Sequence, residues 1–214
     1  MSRGTSLAEM PSESAVRLAS RASAHRLEIP AELSDQLLAY YELLIHWNRK
    51  INLTALSDPD AAIDRLLLEP FAAAALLPKA GTLMDLGSGG GSPAIPLALA
   101  LKSPQLVMVE SRSRKAAFLR EAAREVGLSA VVEAVRFEEL HESAYRGSMD
   151  LVSIRAVRMD APALLAAAAF AKTLGRVAMF ASAGQPPTDI LRTLTVDRTS
   201  PLIGQSVLIE LVPV

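Results

Sequence analysis

The sequence predicts an α/β fold: a mostly parallel sheet with helices on both faces, preceded by an N-terminal helical cap. Three observations predict it. From Thr82 onward, short apolar strand-like runs alternate with helix-like runs, the rhythm of consecutive β-α units. Within that rhythm the stretch Thr82–Pro96 is a strand that breaks into Gly87-Ser88-Gly89-Gly90-Gly91 and resumes as an apolar helix, which is how open α/β sheets present a ligand site. Before Thr82 the apolar residues recur instead at helical spacing.

Taken in order, residues 1–14 are small and polar and are expected to be disordered. Residues 15–78 are expected to form the cap. Ala15–His25 reads as a short helix, and after Pro30 the residues Leu33, Leu37, Tyr40, Tyr41, Leu44 and Trp47 make one apolar stripe. Asp58-Pro59 supplies an N-cap and a first-position proline for a third helix towards Leu68, and Glu69-Pro70 is expected to interrupt it before the apolar run Phe71–Leu77. Residues 79–214 carry the sheet. Strands are predicted at Thr82–Leu86, Gln105–Glu110, Ala130–Arg136, Asp150–Arg155 and Arg176–Ala181, with helices at Pro93–Leu101, Ser113–Val126 and Asp160–Ala171. Gly127 ends the second of these helices as a C′ glycine does. The runs Leu191–Val196 and Ser206–Val212 read as a hairpin that closes the parallel sheet with an antiparallel strand, giving seven strands in all.

Composition narrows the chemistry. Half of the 214 residues are apolar, enough for a large core without disulfides or metal. There is no cysteine, so thiol catalysis and Cys-type zinc sites are excluded, and His25, His46 and His141 have no metal-ligand spacing. With a net charge of −1 and a pI near 6.3, any nucleic-acid contact must come from a local basic patch. The first residues contain no continuous apolar run of the secretory kind, and Ala161–Ala171 is too short to span a bilayer. A cytoplasmic, monomeric protein with no metal is expected.

The glycine loop argues against two ligand classes. A P-loop needs Gly-Lys-Ser/Thr, whereas Gly91 is followed by Ser92-Pro93; the dinucleotide pattern fails because its last glycine is Ser92. Asp85 and Glu110, at the ends of the first two strands, flank the loop with carboxylates suited to ribose hydroxyls. Acidic flanks without a phosphate device point to an adenosyl group bearing an amino acid, S-adenosylmethionine. Arg112, Arg114, Lys115, Arg120 and Arg124, with Arg49 and Lys50 elsewhere, suit either an RNA groove or an ordinary solvated helix face, and the interleaved Glu121 and Glu125 fit the second.

Several segments resemble one family. Trp47-Asn48-Arg49-Lys50-Ile51-Asn52-Leu53-Thr54 and Asp85–Pro96 are similar to elements of the bacterial 16S rRNA guanine-N7 methyltransferases, the glucose-inhibited-division-B (GidB, RsmG) proteins. So are Glu110–Lys115 with Phe118-Leu119, Arg136-Phe137-Glu138-Glu139, and Ser153-Ile154-Arg155-Ala156. The resemblance covers roughly residues 33–184 and implies a Rossmann-like class I methyltransferase sheet with S-adenosylmethionine as donor and 16S rRNA in the small ribosomal subunit as substrate. It implies the methionine part near Gly87, Gly89 and Ser92, the adenosine near Glu110, Phe137 and Glu138, and Arg155 catalytic at the lip of the site. If RNA is the substrate, Arg112, Arg114, Lys115 and Arg158 are the candidate RNA contacts, read from their charge and their place just beyond the strands. The chain departs from the family where R-H-x-x-D-S is expected, carrying Arg65-Leu66-Leu67-Leu68-Glu69-Pro70, and again at Ser182-Ala183-Gly184, where a lysine-glycine step is expected. These departures leave open a methyltransferase with another acceptor, or a non-catalytic relative that has kept the fold.

Overall fold

The computed structural model describes residues 11–102, 105–140, 143–155, 161–182 and 193–214. Helix α1 (Glu13–Ala24) starts just ahead of the expected Ala15 because the Ser12 side chain accepts from the Ala15 N–H, an N-cap the sequence reading passed over. Helix α2 (Ala31–Asn48) buries Leu37, Tyr40, Tyr41 and Leu44, the core of the predicted stripe. Asp58 caps α3 (Pro59–Ile63) as expected. The expected interruption at Glu69-Pro70 is corrected by the structure: α3 passes through a π turn (Asp64–Leu68) into α4 (Glu69–Ala74) without a break.

The sheet contains β1 (Thr82–Leu86), β2 (Gln105–Val109), β3 (Ala130–Glu133), β4 (Met149–Arg155), β5 (Ala171–Ser182), β6 (Leu194–Pro201) and β7 (Ser206–Pro213). Their order is β3-β2-β1-β4-β5-β7-β6. The first five strands are parallel, while β7 runs antiparallel between β5 and β6. Helices α5 (Ala94–Leu101), α6 (Ser113–Glu125) and α7 (Ala161–Phe170) connect the parallel strands. This is the mostly parallel seven-stranded sheet with a closing antiparallel hairpin that the sequence predicts. Because β1 lies between β2 and β4, its carboxyl end is the switch point of the topology, where open α/β sheets bind ligands.

Two-residue periodicity divides the strands between two cores. Leu83, Leu106, Met108 and Leu151 face the cap helices together with α5 and α6. Met84, Leu86, Val107 and Val152 face Leu164, Ala167 and Phe170 of α7. Both faces being covered explains why the strands read as nearly continuous apolar runs.

Several strand boundaries differ from expectation, the far end of β6 among them, at Pro201 rather than Val196. β3 stops at Glu133, before Arg136. β5 starts directly at Ala171 after α7, five residues early, with Gly175 packed so closely that a Cβ would lie 2.8 Å from the Met149 carbonyl oxygen. β6 starts at Leu194; Leu191 and Arg192 of the predicted run lie outside the described residues.

Candidate ligand cleft

A cleft of about 590 Å³ opens at the carboxyl ends of β1, β2 and β4, a size that accommodates a cofactor-scale ligand. Its floor is the glycine loop. The N–H groups of Gly87 and Ser88 both donate to the Val109 carbonyl, at 2.9 and 3.0 Å, which folds the loop back over the end of β2. Gly87, Gly89 and Gly91 all have positive φ. At Gly91 there is a second constraint, since a Cβ would lie 2.9 Å from Ile95 Cδ1 and 3.2 Å from the Tyr40 ring. The glycines therefore do two things: they let the chain turn, and they let the cap pack against it.

The cap holds the loop from above. Tyr40, wholly buried, donates its hydroxyl to the Gly90 carbonyl at 2.6 Å, and burial pushes its phenol up so that it stays a neutral donor. Leu53 packs over Gly90. It is placed by Asn48, whose side-chain oxygen accepts from the N–H groups of Leu53 (2.8 Å) and Thr54 (3.0 Å). This gives the Trp47–Thr54 motif a physical meaning: its first asparagine shapes the loop that roofs the cleft.

Glu110 is buried and lines the cleft. One carboxylate oxygen accepts from Gly89 N–H (3.0 Å) and the other from Arg112 N–H (2.8 Å). Each oxygen retains acceptor capacity for a ligand hydroxyl. Phe137 and Glu138 lie on a single 3₁₀ turn (Phe137–Leu140) at the opposite wall, Phe137 half-buried and Glu138 exposed. Gly87, Gly89, Ser92, Arg112, Lys115 and Arg155 also line the cleft.

Two predicted site residues lie elsewhere, and a third is not among the described residues. Arg114 is exposed outside the cleft lining. Asp85 sits beneath the floor, where its carboxylate accepts from the Ser153 hydroxyl at 2.5 Å across the β1–β4 register. Burial pushes the Asp85 carboxyl up to about 6, against the hydrogen bonds from Ser153 and Ser88 that act to lower it. Arg158 lies outside the described residues.

Arg155 lies in the wall of the cleft and is only 8% exposed. The expectation of a side chain at the lip is therefore corrected. Its Nη1 donates to the carbonyl of Arg65 and to Ser92 Oγ, its Nη2 donates to Glu69 Oε2 at 3.0 Å, and its guanidinium lies 4.6 Å from the centroid of the Phe180 ring. Burial pulls its pKa down to about 10, with Glu69 as the main opposing influence, so it is charged at neutral pH. Glu69 also accepts from Ser206 Oγ at 2.7 Å, and Arg65 donates to Ser206 at 2.7 Å.

Sequence reasoning missed Tyr40, Glu69, Ser206 and Arg136 as site residues. Arg136 had a signal, as the first residue of the segment Arg136–Glu139, and Glu69 another, as the acid of the short apolar stretch Leu66–Ala74. Tyr40 and Ser206 come to the site only through the fold. Among the described residues no helix is long and apolar enough to cross a membrane, and no cluster of three His, Asp or Glu side chains forms a metal site.

Comparison with known proteins points in one direction. The family described as rRNA small subunit methyltransferase G matches residues 33–191. Ribosomal RNA small subunit methyltransferase G of Xylella fastidiosa (strain M23) is 48% identical over 118 residues, which cover 55% of each chain. The protein of the same name from Stenotrophomonas maltophilia (strain K279a) is 42% identical over 130 residues, 60% of this chain and 59% of the relative. The chain thus spans little more than half the length of the curated relatives it matches. Solved structures share the fold at low identity. A ribosomal protein L11 methylase from Lactobacillus delbrueckii subsp. bulgaricus aligns with a TM-score of 0.53 at 15% identity, over 67% of this chain and 76% of that one. The mitomycin 7-O-methyltransferase MmcR aligns with a TM-score of 0.55 at 19% identity, over 97% and 74%.

Proposed function

The chain belongs to the rRNA small subunit methyltransferase G family, and from that premise we propose that it is an S-adenosylmethionine-dependent methyltransferase acting as a monomer on N7 of a guanine in 16S ribosomal RNA. The observation that carries the donor is the cleft itself: a glycine floor at the switch point of the sheet, with the buried Glu110 at the end of β2. In this reading Glu110 accepts from the ribose hydroxyls, Phe137 lies against the adenine, and Glu138 or its backbone meets the adenine amino group. Gly87, Gly89 and Ser92 receive the amino-acid end, and Asp85 supports them from below through the β1–loop junction. The donor, when bound, supplies an electrophilic methyl group on a sulfonium.

Guanine N7 has an in-plane lone pair and no proton to lose, so the protein needs no general base; it must align the acceptor and keep the cationic donor in place. N7 is reached most directly when the base is unpaired or extruded. The exposed Arg112 and Arg114, with Lys115 at the edge of the cleft, would meet the RNA backbone, and Arg136 faces them from the opposite wall. Arg158 remains part of this proposal as an RNA contact.

A second reading keeps the donor and changes the acceptor. It is favoured by Leu66, which lines the cleft where the family pattern has histidine. One experiment addresses both. Purified protein is titrated with S-adenosylmethionine by calorimetry and then incubated with labelled donor and 30S subunits. Donor binding together with label at a single 16S guanine is the expected result. Binding without transfer to 30S subunits favours the second reading, and no binding overturns both.

A further inference from the structure

Pro70 does not break the helix that contains it, and the way it is accommodated gives it a use. In the π turn each N–H reaches back five residues, as the Glu69 N–H does to the Asp64 carbonyl. The next donor in that register is residue 70, and proline has no N–H. The Arg65 carbonyl is thereby left without the donor its register would supply, and Arg155 Nη1 takes it. The Leu66 carbonyl would use the same residue 70 in an α register; it accepts instead from Ser92 Oγ at 2.8 Å. Arg155 Nη1 also donates to Ser92 Oγ at 3.0 Å, so the groups on the two freed carbonyls are bonded to each other. Glu69, one residue before the proline, holds the far nitrogen of the same guanidinium.

We propose that Pro70 and Glu69 are positioning residues for the donor: by opening two helix carbonyls and anchoring Arg155, they fix the Ser92 hydroxyl and the glycine loop beside it. Neither side chain touches the ligand. Ser92 uses its one proton on Leu66, which leaves its oxygen facing the cleft as an acceptor. An alanine at position 70 restores an N–H, so the helix has a donor of its own for one of these carbonyls, in competition with Ser92 or Arg155. The inference rests on the donor reading above, and its test separates the two.

S-adenosylmethionine is titrated into the wild type and into Pro70→Ala, Glu69→Gln, Glu69→Asp and Ser206→Ala, and hydrogen exchange of the Ser88–Gly91 amides is followed in the ligand-free proteins. Pro70→Ala is expected to stay folded while its Kd rises by about five-fold or more and loop exchange accelerates, a pattern that global destabilisation does not produce. Glu69→Gln should behave likewise, with Glu69→Asp closer to wild type because it retains the charge facing Arg155. Ser206→Ala, the mildest change, keeps the test open should Glu69→Gln fail to fold; it should shift Kd in the same direction by less. Pro70→Ala with a Kd within about two-fold of wild type and unchanged loop exchange overturns the proposal. If the wild type binds no donor yet the loop loosens in these variants, the donor reading fails while the loop-holding role stands.

Discussion

The glycine loop and the helical wall Asp64–Pro70 meet at Ser92 and Arg155, and they solve the same problem by opposite means. Each must turn backbone polar groups away from regular secondary structure and towards the cleft. The loop does so by deleting side chains, so that Gly87, Gly89 and Gly91 reach positive φ. The wall does so by deleting a donor, so that Pro70 leaves carbonyls for Arg155 and Ser92. The loop depends on the chain's freedom; the wall depends on ionic anchoring. Substitution should therefore damage them differently.

The largest effect is expected on the wall. Glu69 and Arg155 are both buried, with side chains 4% and 5% exposed, and they bond at 3.0 Å. Glu69→Ala strands a buried guanidinium whose Nε has no hydrogen-bond partner among the described residues. The expected loss is about 3–5 kcal/mol of unfolding free energy, measured by urea denaturation. A loss below about 1 kcal/mol would mean that Arg65 and the phenyl ring of Phe180 leave Arg155 a route to solvent, and the wall would then be no more dependent on charge than the loop.

Beneath the loop the sensitivity is to pH. Asp85 is fully buried, and its carboxyl is pushed from 3.8 to about 6. Between those values the native state holds a proton that the unfolded chain releases. The contribution to stability is therefore complete below about pH 4 and is lost as pH rises through 6. At about 1.4 kcal/mol per pH unit this amounts to about 3 kcal/mol. Asp85→Asn cannot ionise, so its stability relative to wild type should rise by about that much between pH 4 and pH 7.5. A difference that stays flat across this range would show that Ser153 and Ser88 compensate the buried charge in full.

The contrast between loop and wall also explains what the sequence made legible. Four glycines in five residues between an apolar strand and an apolar helix have few other uses, so Thr82–Pro96 could be placed and its ligand class narrowed. Strand alternation likewise revealed five parallel strands and the closing hairpin, because each β-α unit must bury its own apolar face. The wall gave no such pattern. Glu69-Pro70 read as a helix stop, since local rules treat proline as a missing bond and cannot see that a residue from β4, 85 positions away, supplies the replacement. The lip position of Arg155 came from the resemblance, and no local pattern could correct it, because its partners Arg65, Glu69 and Ser92 are distant in sequence. The departure from the family pattern at Arg65–Pro70 left the acceptor open, yet within it Glu69 places a carboxylate on Arg155.

The smallest effect on the folded protein, and the sharpest separation of donor from acceptor, is expected at the outer rim. Arg112 and Arg114 are exposed and Lys115 half-buried, and no ion pair among the described residues engages any of them. Only the backbone of Arg112 takes part in holding Glu110, through its N–H. Replacing Arg112, Arg114 and Lys115 together by glutamine removes three charges and leaves that N–H in place. Stability should change by less than about 0.5 kcal/mol per site, as at other exposed positions, and donor affinity should stay within about two-fold. RNA affinity should fall, with the slope of log K against log salt shallower by about 2, because three cations no longer displace counterions from a single-stranded substrate. The decisive measurement is methyl transfer to 30S subunits across a salt series. If the triple variant follows the wild type at every salt concentration, the RNA does not dock on this rim. If it loses donor affinity as well, loop and rim are coupled through Glu110, and the division between a donor half and an acceptor half has to be redrawn at that residue.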